Sequence, residues 1–104
     1  MEKRYSQMEE HELRQEIALL NEKAKKAEQM GMVSEFAVYE RKMVMAKAYL
    51  LDPNDFNPEE TYILDEDDNT FTISYLNGTF AWGYRNDQSE LEAVPISLLK
   101  EKVK

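Results

Sequence analysis

The 104 residues suffice for one domain, or a small domain with an appendage, and exclude a second full catalytic domain. Thirteen basic residues against 21 acidic ones leave a formal net charge of −8, which argues against a generally basic nucleic-acid wrapper. With no cysteine and one histidine, disulfides, thiol catalysis and thiolate metal sites are excluded, and most histidine chemistry lacks material.

The charge is divided unevenly. Residues 1–51 hold nine Lys/Arg and nine Asp/Glu; residues 52–104 hold four and twelve, which is the whole imbalance. The break falls at Asp52-Pro53-Asn54-Asp55, where the residue before proline is pushed out of the helical region. Glu, Lys, Ala, Leu and Met dominate before it, and Thr, Tyr, Phe, Asn and Asp after it. Two segments are expected, 1–52 helical and 53–104 β, packed as one unit. The start, Met1-Glu2-Lys3-Arg4-Tyr5, has no apolar signal-peptide core, and no run approaches the ~18 apolar residues of a membrane span. A cytoplasmic protein without membrane contact is expected.

Ser6-Gln7-Met8-Glu9 has the pattern of a capping box and predicts the start of helix one. Leu13, Ile17, Leu20, Ala24 and Ala27 then draw one apolar stripe at helical spacing, and Gly31 is placed to end the helix. Ser34 is the expected cap of helix two, with Val33 and Val38 as a hydrophobic staple. Helix two is predicted to run to about Leu51. It carries one stripe through Phe36, Tyr39, Met43, Ala46 and Leu50, and a second through Ala37, Val44, Ala48 and Leu51. The short link predicts an antiparallel hairpin, the second stripe is expected to lie on the sheet, and apolar surface of helix two left exposed would mark an oligomer interface.

The β half opens with Thr61-Tyr62-Ile63-Leu64. Two alternating runs, Phe71–Leu76 and Thr79–Arg85, flank Asn77-Gly78, the strongest short hairpin signal. With those two residues at the turn centre, Tyr75 faces Phe80, Ile73 faces Trp82 and Phe71 faces Tyr84. One face would then hold Phe71, Ile73, Tyr75, Phe80, Trp82 and Tyr84, and the other the small residues Ser74, Ala81 and Gly83, inviting close approach. A last strand over about Leu91–Val94 and a helical turn at Ile96-Ser97-Leu98-Leu99 complete the pattern of an SH3-like barrel. The fold class expected is α+β: an N-terminal antiparallel helical hairpin followed by a small SH3-like β-barrel.

The chain resembles the YfhH-like family of small proteins from Bacillus-type bacteria. The likeness rests on residues 1–8, on Glu40-Arg41-Lys42 and residues 46–53, on Tyr75-Leu76-Asn77-Gly78-Thr79-Phe80-Ala81-Trp82-Gly83-Tyr84-Arg85, and on Val94-Pro95-Ile96-Ser97-Leu98-Leu99. The resemblance implies the same hairpin and barrel, and brings with it a label of transcriptional regulator that fold alone does not establish.

The candidate partner-binding surface is Tyr75, Trp82, Tyr84 and Arg85: aromatic residues beside an arginine are common at interfaces. Arg14, Lys23, Lys25, Lys26, Arg41 and Lys42 are the alternative, as nucleic-acid contacts, disfavoured by net charge. Asp65-Glu66-Asp67-Asp68-Asn69 fails as a calcium loop, with Thr70 where the loop needs glycine and Leu76 where it needs a bidentate glutamate. It reads as a solvated turn. His11 has no nucleophile brought to it by the pattern. No catalytic residue, cofactor site or metal site is expected. The reading is a non-enzymatic protein-binding regulatory or adaptor module with an unknown protein partner; the alternative is a nucleic-acid-binding transcriptional regulator.

Overall fold

A computed structural model describes residues 3–65, 67–86 and 88–103; Met1, Glu2, Glu66 of the acidic run, Asp87 and Lys104 lie outside the described residues. The chain divides into two compact units, Met1–Leu50 and Leu51–Lys104.

The first unit is a helical hairpin of α1 (Glu10–Gln29) and α2 (Val33–Ala48). Helix one starts later than Ser6. Tyr5–Gln7 forms a separate 3₁₀ turn, and the N-cap is Glu9, whose box is closed by Glu12. Two successive boxes stand in place of the expected one: Gln7 Oε1 accepts the Arg4 N–H, which puts Ser6 inside the first turn, and Glu12 Oε1 accepts the Glu9 N–H at 3.1 Å, which starts the helix. At the other end, Gly31 takes φ +70, a conformation that costs other L-residues energy. The Gly31 N–H bonds the Glu28 carbonyl and the Met32 N–H bonds the Ala27 carbonyl, which is the Schellman pattern. Because the turn is so tight, α2 begins at Val33 with Met32 as its N-cap, and Ser34 lies inside the helix. Helix two ends at Ala48, short of Leu51. Leu20, Ala24 and Met43 form the hairpin core, with Phe36 and Tyr39 packed against it.

The second unit is one antiparallel sheet of β1 (Thr61–Leu64), β2 (Thr70–Asn77), β3 (Phe80–Arg85), β4 (Glu92–Pro95) and β5 (Leu99–Lys102), in the order β4-β3-β2-β1-β5. The helical turn after Pro95 is present, as a 3₁₀ turn over Ile96–Leu98. α+β is therefore right, but the SH3-like barrel is not. Beyond that turn the chain forms a fifth strand, unforeseen in Lys100-Glu101-Lys102, which pairs with the far side of β1. β4 and β5 are thus opposite edges of an open ladder.

The central hairpin pairs two residues away from the expected register. Asn77 faces Phe80, Leu76 faces Ala81 and Tyr75 faces Trp82. The two-residue loop is Gly78-Thr79, with Gly78 at φ +61 in the first position, where a tight hairpin most needs glycine. Between Ile73 and Tyr75 the register then shifts by one, so Ile73 faces Gly83, Thr72 faces Tyr84 and Phe71 faces Arg85. Ser74 is the extra residue of a β-bulge.

That bulge splits the expected aromatic face in two. Phe71 and Ile73 join Ala81 and Gly83 on the inner face, with Tyr62, Leu64, Val94 and Leu99; all are buried. Tyr75, Trp82 and Tyr84 lie on the outer face, with Thr72 and Thr61. The close approach at the small residues is made by the neighbouring strand: a Cβ on Gly83 would meet the Thr72 carbonyl oxygen at 1.9 Å.

Candidate binding face

On the outer face, Tyr75 and Trp82 stack with ring centroids 5.9 Å apart and planes 4° from parallel. They are directly paired across the β2–β3 ladder, where opposing side chains come closest. Tyr84 follows Trp82 on the same face two residues along β3. Tyr75 is 44% exposed and Tyr84 37%, large values for aromatic residues held on a regular sheet; Trp82 is half-buried. Beside them the Thr61 and Thr72 hydroxyls share a hydrogen bond of 2.9 Å. On β4, small Ala93 is the ladder partner of Trp82.

Arg85 belongs elsewhere. It pairs with Phe71 in the ladder and therefore lies on the inner side, at its rim. Its guanidinium makes a two-pronged contact with Glu92, Nε to Oε2 at 3.2 Å and Nη2 to Oε1 at 2.7 Å, and Nη1 donates to Asp67 Oδ2. The hydrogen bonds from Arg85 hold the Glu92 carboxyl below its ordinary range. Asp67 Oδ1 in turn accepts the Asn69 N–H, and Asp68 takes φ +59. The described acidic residues form a tight turn tied to β3, as a solvated turn requires. Three of the four candidate surface residues thus share one face, and Arg85 is a clamp behind it.

A second polar clamp went unnoticed in the sequence. Glu60 accepts from the Tyr62 hydroxyl at 2.7 Å and pairs with Lys102 Nζ at 2.7 Å, joining β1 to β5. Hydrogen bonds from Lys102, Tyr62 and the Asn57 N–H bring the Glu60 carboxyl down to about 2. Burial and the Glu60 carboxylate push the Tyr62 phenol up to about 12. The missing signal was β5 itself: without that strand, Lys102 reads as a tail residue.

Arg14, Lys23, Lys25, Lys26, Arg41 and Lys42 are all exposed. Arg14 is bonded to Glu10 at 3.0 Å. Lys25 lies about three turns from Arg14 and shares its side, whereas Lys23, about two and a half turns away, points oppositely. The six do not gather into one strip. Arg14 and Lys47 do flank a shallow groove of about 420 Å³ floored by Ile17, Ala18, Met43 and Leu50. Glu9, His11 and Glu12 offer one ligand atom each within 4.8 Å of one another. All three already have partners: Glu12 binds Lys3 at 2.9 Å and accepts the Glu9 N–H, and His11 Nδ1 lies 3.5 Å from a Glu9 carboxylate oxygen. Among the described residues no helix is long and apolar enough to cross a membrane.

Residues 3–100 match the family model described as "Protein of unknown function (DUF1811)". The chain belongs to this family. It is also similar to "Uncharacterized protein YfhH" of Bacillus subtilis (strain 168), with 63% identity over 103 residues, covering 98% of this chain and 99% of that relative. The DUF1811 match spans both units, hairpin and sheet alike.

Proposed function

We propose that the chain is a cytoplasmic protein-binding module of regulatory or adaptor type, with no chemistry of its own, whose contact surface is the outer sheet face at Tyr75, Trp82 and Tyr84. The observation that carries this reading is the exposed Tyr75–Trp82 stack. Exposed tyrosine and tryptophan on a rigid ladder present wide contact area at little cost in side-chain entropy, and such residues dominate binding energy at protein interfaces. Ser74 is what turns Tyr75 outward, so the face is a product of the backbone and does not require a ligand to form it.

The test is affinity purification from the native cell with the wild-type chain, Tyr75→Ala and Tyr84→Ala, each checked for folding by circular dichroism. A protein retained by the wild type and lost from both variants supports the reading. Retention of every partner by both folded variants overturns it.

A further inference from the structure

We infer that the outer face receives a cationic polypeptide segment, with an arginine guanidinium lying on the Tyr75–Trp82 stack. This rests on the protein-binding reading and gives it a partner chemistry. Two independent observations point the same way.

The first is the composition of the face. Ladder partners share a face, so Thr61, Thr72, Tyr75, Trp82, Tyr84 and Ala93 stand together with no charge among them; at the far edge Glu101 joins the face through Ile63, with exposed Lys100 beside it as the extra residue at the β5 register shift. The ring faces of tyrosine and tryptophan carry negative potential and attract a cation, most effectively a planar guanidinium that can also stack.

The second is the field around it. Residues 52–104 hold four basic and twelve acidic residues. Of the described basic residues there, Arg85 is committed to Asp67 and Glu92 and Lys102 to Glu60, which leaves Lys100 alone against the carboxylates that follow. Among the described residues Glu59, Asp65, Asp68, Glu90 and Glu101 have no ion pair. Their summed potential draws cations and repels nucleic acid and acidic chains. Aromatic stacking supplies the contact and the uncompensated carboxylates supply the steering.

Trp82 is the sole tryptophan of the chain, so its emission reports on this face directly. The full chain is titrated with three glycine-spaced peptides of equal length bearing Arg, Lys or Glu. The Arg peptide is expected to change Trp82 emission saturably, the Lys peptide more weakly and the Glu peptide not at all. Tyr75→Ala and Tyr84→Ala, both with unchanged circular dichroism, are expected to weaken Arg-peptide binding by about threefold or more. Raising salt from ~20 to ~200 mM is expected to weaken it further. Equal responses to Arg and Glu peptides, silence toward all three, or Arg binding indifferent to both variants overturns the cation assignment. If the Arg peptide is silent while Tyr75-dependent capture of a cellular protein persists, the docking face stands and only its chemistry falls. Failure of both removes both.

Discussion

Ile73 lies directly across the ladder from Gly83, and the step after that pair decides which rings the sheet shows to solvent. Before it, Phe71 and Ile73 point inward; after it, with Ser74 unopposed, Tyr75 points outward onto Trp82. The same step brings the Thr72 carbonyl over Gly83.

Gly83→Ala is therefore expected to be among the most damaging single-methyl additions in the chain. Its Cβ would sit 1.9 Å from a backbone oxygen, and backbone cannot yield as a flexible side chain can. A loss of at least about 3 kcal/mol is expected, with a Tm drop on the order of 10 °C or more. Thermal unfolding followed by circular dichroism checks it; a change within about 0.5 kcal/mol, typical of surface substitutions, would show that the approach is relieved at no cost.

Gly31→Ala is milder. Nothing lies within 4 Å of a Cβ there, so only the left-handed backbone opposes it. About 1 kcal/mol is expected. Chemical denaturation should show a lower midpoint with an unchanged slope.

Arg85→Ala leaves the half-exposed Asp67 and Glu92 carboxylates without their shared cation. After solvent screening, about 1–2 kcal/mol is expected. Arg85→Lys should restore little, because one ammonium cannot reproduce the fork on Glu92. The sign of the pH effect follows from Glu92. Its folded carboxyl titrates below the unfolded one, so its contribution is complete above the ordinary carboxylate range and is lost as pH falls through the lowered value. Stability measured from pH 7 to pH 3 should fall less steeply in Arg85→Ala than in the wild type.

Glu60→Gln probes the other clamp at both ends of the pH scale. In the wild type the Glu60 contribution is present above its ordinary value of 4.5 and is lost toward about 2. Tyr62 behaves inversely. Its phenol is raised from 10.0 to about 12, so that contribution is full below 10.0 and disappears as pH rises toward 12. Ultraviolet titration should show Tyr62 ionising late in the wild type and at lower pH in Glu60→Gln. An unmoved titration would mean that burial alone holds Tyr62 neutral.

Glu12→Ala should fray the start of α1, since Glu12 accepts the Glu9 N–H and pairs with Lys3. Faster hydrogen exchange at Glu9 and Glu10, with the middle of the helix unchanged, is the expected reading.

The helical stripe through Leu13, Leu20, Ala24 and Ala27 was legible because period alone fixes an amphipathic face; all four are buried. The helix start was less so, because Ser6 and Glu9 both begin box-like patterns and only tertiary context chooses between them. Asn77-Gly78 located the hairpin but misplaced its register, since Gly78 can serve either central position of a two-residue loop. Ser74 carries no mark of a bulge in sequence, so strict alternation merged core rings with surface rings. Gly83 held the clue, a glycine inside a strand, which often marks a bulge or a close backbone approach. β5 was hidden because Lys100-Glu101-Lys102 has the composition of a solvated tail, and only pairing with β1 makes it a strand. Of the candidate surface, Tyr75, Trp82 and Tyr84 were identified together; the separate placement of Arg85 depends on the parity of the ladder.

Most strands cannot lose one residue, because every side chain beyond the gap turns over. Ser74 is different, since no β3 residue answers to it. Deleting its codon would leave Ile73 opposite Gly83 and Tyr75 opposite Trp82, in an uninterrupted ladder with both faces intact. The gene can thus shorten by one triplet here and still encode the same interior and the same exterior, losing only the local bend.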